Sequence, residues 1–144
     1  MLDVDYERYA QAEAALAWLN LALRFEAATP LSPASLVGPF ADGLGESLRA
    51  AETSIAHMKL LDRSPAGWVK VAISSNDVMA QVEGDVDASP TLQHDLNLNL
   101  RVAGDPVLVQ KIVEEHVERL PGRTLESRMS CFRPPPPVPE RRIP

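Results

Sequence analysis

Cysteine is almost missing from this sequence, whose 144 residues include one. A single cysteine excludes an internal disulfide framework and any metal site built on two cysteines of one chain. Aromatic residues are scarce at 5%, and no apolar run approaches the roughly 20 residues that a membrane helix needs. The first residues, Met1–Glu7, carry acidic side chains, which is the wrong charge for a signal peptide. These absences predict a cytoplasmic protein that does not bind a membrane.

Basic side chains are also the minority, with 14 against 20 acidic ones and a net charge of −6. An acidic chain argues against nucleic-acid binding by phosphate neutralisation. The charge is divided unevenly, because residues 1–118 hold 18 acids and 8 bases whereas residues 119–144 hold 6 arginines and 2 acids. A length of 144 residues with 45% apolar content is enough for one domain with a core. The arginine-rich end is the first place to seek a partner.

Proline is concentrated at the C-terminus, where 6 of the 13 prolines fall in the last 11 residues. Such a run neither continues a helix nor donates to a sheet ladder, so it predicts an extended polyproline II tail. The expected organisation is a single domain over residues 1–133 and a Pro/Arg-rich tail over residues 134–144. The tail is interpreted either as a stiff surface segment or as a ligand for a partner's groove.

Two segments alternate apolar and polar residues with the period of a half-buried strand, Leu19–Phe25 and Leu92–Val102. Each is followed by a helix start with proline at the first helical position, after Ser32 in one case and Asp105 in the other. The second helix has a continuous apolar face made of Leu108, Val109, Ile112, Val113, His116, Val117 and Leu120. Glycines and a second proline weaken the first helix and favour a start near Pro39. Residues Tyr6–Ala17 fit either a helix or a strand.

The two strand–helix units contain a short internal repeat, because Leu19–Arg24 matches Leu96–Arg101 at five of six positions. Further strands are predicted at Ile55–Asp62, Trp68–Ser75, Val78–Glu83 and Thr124–Phe132. The resulting order is that of an α+β, ferredoxin-like split βαβ sandwich with a mainly antiparallel sheet, two helices on one face and an extra strand or hairpin. The second face of such a sheet needs a cover, for which the tail or a second subunit is available.

No catalytic signature is present, and no glycine-rich segment matches a phosphate-binding loop. The position of Cys131 in its strand predicts a small core residue. The position of His116 on its helix predicts a semi-buried histidine, and that of His94 near the start of its strand predicts a ring packed at the sheet edge. His57 is the least explained histidine. His57 and Cys131 are therefore the candidate ligands of a transition metal, and no other cofactor is expected. Arg24 and Arg101 fit either a paired anion site or cross-strand ion pairs.

Four segments follow one another in an order that is similar to a known family, namely Glu13–Asn20, Ile55–Lys59, Leu96–Val102 leading to Asp105 and Pro106, and Cys131–Pro134 with Pro137–Pro139. With these segments the chain resembles the C-terminal region of CobW-like (cobalamin synthesis protein) GTPases. Proteins of that family are GTP-dependent metallochaperones whose nucleotide and Cys-x-Cys-Cys residues belong to an N-terminal P-loop domain. The resemblance implies a C-terminal domain as a separate chain, without GTP hydrolysis, and this sequence has Glu140–Arg142 where the family pattern leads us to expect a histidine.

Two hypotheses follow for the function. In the first, the chain is a non-catalytic module that associates with itself, with a metallochaperone GTPase or with a metalloprotein client. Its sheet face and the residues Phe132, Arg133, Arg141 and Arg142 would form the partner surface. In the second, the chain is a small-ligand or metal carrier that uses His57 and Cys131.

Overall fold

The computed structural model describes residues 16–74 and 80–134. Along these residues the elements are β1 (Leu16–Leu31), α1 (Pro33–Ala50), β2 (Ser54–Ser64), β3 (Gly67–Ser74), β4 (Gln81–Gly84), β5 (Thr91–Ala103), α2 (Pro106–Glu118) and β6 (Gly122–Phe132). The predicted order of strands and helices is confirmed. The expectations for most of Tyr6–Ala17 and for the proline-rich tail lie outside the described residues, although Leu16 and Ala17 belong to β1.

The six strands form one sheet in the order β4-β3-β2-β5-β1-β6, and every neighbouring pair is antiparallel. Strands β6, β1, β5 and β2 have the arrangement of a ferredoxin-like split βαβ fold, with both helices as crossovers. The inserted hairpin strands β3 and β4 lengthen the sheet beyond β2. The fold class expected from the sequence is therefore confirmed.

The repeated segments of the sequence pair with each other at the centre of this sheet. Leu19 lies opposite Leu100, Leu21 opposite Leu98, and the Asn99 side-chain amide donates a 2.8 Å hydrogen bond to the Asn20 side-chain oxygen. Their leucines point to the face covered by the helices, where all are at most 2% exposed. The two repeated segments therefore contribute paired leucines to one hydrophobic core.

Helix α1 begins at Pro33, six residues before the start that its glycines and Pro39 favour. Ser32 caps it as predicted, because its side-chain oxygen accepts a 3.2 Å hydrogen bond from the Ser35 backbone N–H. Pro39 lies inside the helix on an exposed position. Apolar side chains on the opposite side, including Leu36 and Leu44, are buried against the sheet. The burial of this face outweighs the poor helix propensity of the segment.

Helix α2 begins after Asp105, whose side chain accepts a 3.2 Å hydrogen bond from the Val107 backbone N–H. Its buried side chains are Val109, Ile112 and Val113. Leu108, which the helical period places on the apolar face, is 38% exposed. The buried stripe of α2 is therefore narrower than the helical period predicts. Neither α1 nor α2 is long and apolar enough to cross a membrane.

Candidate functional site

The face of the sheet opposite the helices, here called the open face, has neither described helix packed on it. This face is formed by the polar residues that alternate with the buried leucines of β1 and β5, and by the residues of β2, β3 and β6 that pair beside them. Its basic side chains are Arg24, Lys59, Arg63, Lys70, Arg101, Arg123 and Arg128, and its acidic ones are Glu26, Glu83, Asp95 and Glu126. The open face is therefore more basic than the acidic chain as a whole.

At one end of the open face, three side chains from neighbouring strands form what we call the Trp18 cluster, namely Trp18 of β1, Phe132 of β6 and Arg101 of β5. The two rings lie 6.1 Å apart between centroids at an angle of 50°, and the Arg101 guanidinium carbon lies 4.3 Å from the Trp18 ring centroid. This is the geometry of an aromatic pair with a cation over one ring face. Phe132 is 43% exposed.

Trp18 itself contains an unsatisfied polar atom. Its indole Nε1 is buried and has no hydrogen-bond partner. An indole N–H usually finds an acceptor when it is removed from water. The Trp18 cluster therefore combines exposed aromatic and guanidinium surface with a donor that has no acceptor.

Of the other residues predicted to contact a partner, Arg133 lies next to this cluster in the described part of the chain. Arg133 follows Phe132 directly, and its Nη2 donates a 3.0 Å hydrogen bond to the Gly104 carbonyl oxygen, which holds the end of β6 near the start of α2. Arg141 and Arg142 lie outside the described residues. His57 neighbours Arg101 across β2 and β5 and is half-buried. The structure thus brings together Phe132, Arg101 and His57 along one row of the open face, together with Trp18.

His57 and Cys131 do not share a site. Cys131 lies opposite Leu19 on the helix-covered side of β6, whereas His57 lies on the open face of β2, with β5 and β1 between the two strands. The Cys131 thiol donates a 3.3 Å hydrogen bond to the Pro106 carbonyl oxygen. Burial, together with the nearby Asp105 charge, raises the pKa of Cys131 and so favours its protonated form.

Among residues 16–74 and 80–134, no three His, Cys, Asp or Glu side chains are grouped closely enough to hold a metal ion. The interpretation of Cys131 as a small residue packed against the core fits its position beside Met129. Metal binding by His57 stays a prediction.

Arg24 and Arg101 also lie apart, because β1 and β5 are antiparallel and Arg24 pairs with Asp95 whereas Arg101 pairs with Trp18. The Arg24 guanidinium lies 3.7 Å from Asp95 and 3.8 Å from Glu126. Of the two alternatives, cross-strand ion pairing describes Arg24. A cleft of about 310 Å³ opens beside Arg24 and Arg63, yet Asp95 in its wall offsets much of their charge.

A buried, hydrogen-bonded pair of titratable side chains on the helix-covered face of the sheet was not predicted from the sequence. His94 of β5 and Asp62 of β2 are both fully shielded from solvent, and the His94 Nδ1 lies 2.7 Å from Asp62 Oδ2. The second ring nitrogen of His94 lies 3.0 Å from the Thr91 carbonyl oxygen, while Asp62 Oδ1 has no partner. His94 faces inward near the start of β5, as predicted, but β5 is a central strand, so the ring does not lie at a lateral edge of the sheet. The sequence signal for this pair is a polar residue at an inward-facing position of each strand. In β2 Asp62 follows the inward Met58 and Leu60, and in β5 His94 precedes the inward Leu96 and Leu98.

The protonation of this pair is set by burial and by mutual attraction. Burial alone would lower the pKa of His94, but the hydrogen bond and the negative charge of Asp62 outweigh it, and the pKa of His94 rises above 6.5. Burial is the main influence on Asp62 and raises its pKa despite the opposing effect of His94. Both shifts favour the retention of protons in the folded state, so the stability that the pair contributes falls as the pH rises.

His116 is a semi-buried, hydrogen-bonded residue, as predicted. Its Nε2 lies 2.7 Å from the Ser47 hydroxyl oxygen, which joins α2 to α1, and its ring packs against Phe40. Burial, assisted by the Arg119 charge, lowers the pKa of His116. The neutral ring therefore serves to connect the helices.

Replacing Ser47 with alanine is expected to lower the free energy of unfolding by about 1 kcal/mol, because the His116 ring loses its partner between the helices. Urea unfolding of the variant measures this loss. The matched control is Ser130→Ala, which removes an exposed hydroxyl from β6 and should change stability by less than about 0.5 kcal/mol. Equal effects of the two substitutions would contradict a structural role for the Ser47–His116 bond.

Comparison with protein-family models, with curated proteins and with solved structures gives no match for this chain.

Proposed function

We propose that this chain is a non-catalytic module that binds another protein through the open face of its sheet. The observation that carries the proposal is the Trp18 cluster. Aromatic and arginine side chains are enriched at the centres of protein interfaces, where they contribute most of the binding energy. Here they converge from β1, β5 and β6 on a face that neither described helix covers.

The charge of the open face indicates the chemistry of the partner. Basic side chains outnumber acidic ones on this face, although the chain carries a net charge of −6. Complementary charge raises association rates and disfavours partners of the wrong sign. An acidic protein surface would fit the cluster.

The resemblance to the C-terminal region of CobW-like GTPases supplies the proposed class of partner. We infer a separate GTPase of that kind, or a metalloprotein that it serves, as the protein bound. The chain itself would then contribute recognition rather than chemistry, in keeping with the absence of a phosphate-binding loop from its sequence.

Partner capture followed by titration tests this function. The immobilised chain is exposed to native lysate, captured proteins are identified by mass spectrometry, and the purified partner is titrated by calorimetry. A purified CobW-like GTPase is titrated in parallel. Arg101→Glu and Phe132→Ser should each weaken binding by at least about tenfold, because both alter the Trp18 cluster.

The matched control is Val107→Ser, which replaces an apolar side chain that is 75% exposed on α2, away from the open face. It should leave the affinity unchanged. A partner that binds Arg101→Glu and Phe132→Ser as tightly as the original chain would overturn the open face as the binding surface. A chain that captures no protein and does not bind the GTPase would overturn the function itself.

A further inference from the structure

Strand β6 forms one edge of the sheet and pairs only with β1 among the described strands. Nearly all of its residues from Gly122 to Phe132 are exposed. The opposite edge is different, since β4 has four residues and ends at Gly84, beyond which Asp85 accepts a hydrogen bond from the Trp68 backbone N–H. A short edge resists pairing with another chain, whereas an eleven-residue edge offers backbone donors and acceptors to one.

The sequence of β6 is self-complementary around Ser127. In an antiparallel pair of two copies centred on Ser127, Glu126 of each copy lies opposite Arg128 of the other, and Leu125 lies opposite Met129. Residues directly opposite each other in an antiparallel pair share a face of the sheet. Glu126 and Arg128 are both on the open face, since they lie beside Arg24 and Ala22.

The charged side chains of β6 remain available for such a pair. The Glu126 side chain is 50% exposed and the Arg128 side chain 83% exposed. Within one copy their contact is long, at 3.6 Å, and Glu126 also lies 3.8 Å from the Arg24 guanidinium. A shift of pairing with β1 between Arg24 and Phe25 leaves Leu125 as an extra residue in β6. The pairing inferred for two copies is therefore confined to Glu126–Arg128, where both opposite pairs, Glu126 with Arg128, have complementary charge.

We propose that two copies of this chain associate through their β6 strands, antiparallel and centred on Ser127. This inference rests on the proposed association function and names a second copy as one partner and the sheet edge as the surface. The two-fold axis would stand perpendicular to the sheet, so both open faces would lie on the same side of one continuous sheet. Such a dimer would present two Trp18 clusters and would bind a bivalent partner with increased avidity.

Charge reversal in β6 tests the arrangement by sedimentation velocity over a concentration series. Glu126→Lys places lysine opposite Arg128 of the second copy, and Arg128→Glu places glutamate opposite Glu126, so each variant acquires like charges twice across the axis. The dimer dissociation constant should rise by about tenfold in each. The matched control is Glu83→Lys, which makes the same charge change on the β4 edge and should leave the dimer intact.

Mixing the two variants is the decisive measurement. In a pair made of one Glu126→Lys chain and one Arg128→Glu chain, both cross-strand charge pairs are attractive again, so dimers should return on mixing. The double variant Glu126→Lys/Arg128→Glu should also form dimers. A monomeric original chain at all concentrations, or variants that do not complement each other, would overturn the inference.

A crosslink provides a second readout that does not depend on charge. Ser127→Cys in a Cys131→Ser background should form a disulfide between copies under oxidising conditions, because position 127 opposes itself across the axis. Ser130→Cys in the same background should not. If Ser130→Cys crosslinks as readily as Ser127→Cys, the proposed register is wrong.

The outcome can be separated from that of the proposed function. Partner binding through the Trp18 cluster is measured on Glu126→Lys as well as on Arg101→Glu. If the chain stays monomeric but Arg101→Glu still loses the partner, the β6 pairing alone is rejected. If the chain forms the β6 dimer but binds no other protein, open-face recognition of another protein alone is rejected.

Discussion

Replacing Asp62 with alanine is expected to lower the free energy of unfolding by about 3–5 kcal/mol, because it leaves His94 buried without its carboxylate. Small domains unfold with only about 5–15 kcal/mol, so this is a large share of the total. Urea unfolding followed by circular dichroism measures the change. A loss below about 1 kcal/mol would contradict the strong coupling of the buried pair.

The matched control removes both members of the pair. A buried ion pair often contributes little more than apolar residues of similar volume, since the cost of removing its charges from water offsets their attraction. The double variant Asp62→Leu/His94→Leu should therefore be more stable than Asp62→Ala. Leucine suits both positions, which continue the inward phases that contain Leu60 and Leu96.

The same pair should make the protein less stable at alkaline pH. Because the folded pKa of His94 is raised above 6.5, its contribution to stability is complete below pH 6.5 and is lost as the pH rises through the folded value. The raised pKa of Asp62 has the same sign, because its contribution is complete below pH 3.8 and is lost as the pH rises through the folded value. His116, whose pKa is lowered, loses its contribution as the pH falls below 6.5 and so does not produce the alkaline effect. Unfolding measured from about pH 6 to pH 9 should show the decrease in the original chain and a weaker one in Asp62→Ala.

Replacing Leu98 with alanine is expected to lower the free energy of unfolding by about 2–5 kcal/mol. Leu98 is fully buried in the middle of β5, where it lies between Leu21 of β1 and Leu60 of β2. Truncation removes buried methyl groups and leaves a cavity that neighbours on two strands cannot fill completely. Thermal and urea unfolding measure the loss.

Leu92 provides the control within the same strand. It is 46% exposed near the start of β5, so Leu92→Ala should change the free energy of unfolding by less than about 0.5 kcal/mol. Comparable losses at Leu92 and Leu98 would mean that the central rows of the sheet do not form the main core.

Much of the fold could be predicted because its signals are local. Alternation with period two located the central strands, and the serine and aspartate before Pro33 and Pro106 were recognised as the N-caps of the two helices. The start of α1 was predicted too late because local propensity disfavours the segment around Pro39, whereas packing of Leu36 and Leu44 on the sheet stabilises it. Leu108 was predicted to be buried because a helical wheel does not show how much of the helix the sheet covers.

The candidate site was less accessible to sequence reasoning. Phe132 was expected to contact a partner, but its neighbours Trp18 and Arg101 come from strands that are far apart in the chain and adjacent in the sheet. His94 and Asp62 likewise meet only because β5 lies between β1 and β2. His57 and Cys131 were considered together, and the sheet separates them onto opposite faces.

The sequence by itself determined the kind and order of the elements, the inward leucines of the two repeated strands and the caps of both helices, because each depends on neighbouring residues and on a short period. Tertiary structure alone decided which polar side chains meet. Strand order and register place Arg101 over Trp18, Asp62 beside His94 and β6 at an edge, and these depend on pairing between residues that are distant in the chain. Basic side chains are the minority in the sequence, and the pairing of the strands places many of them on the open face.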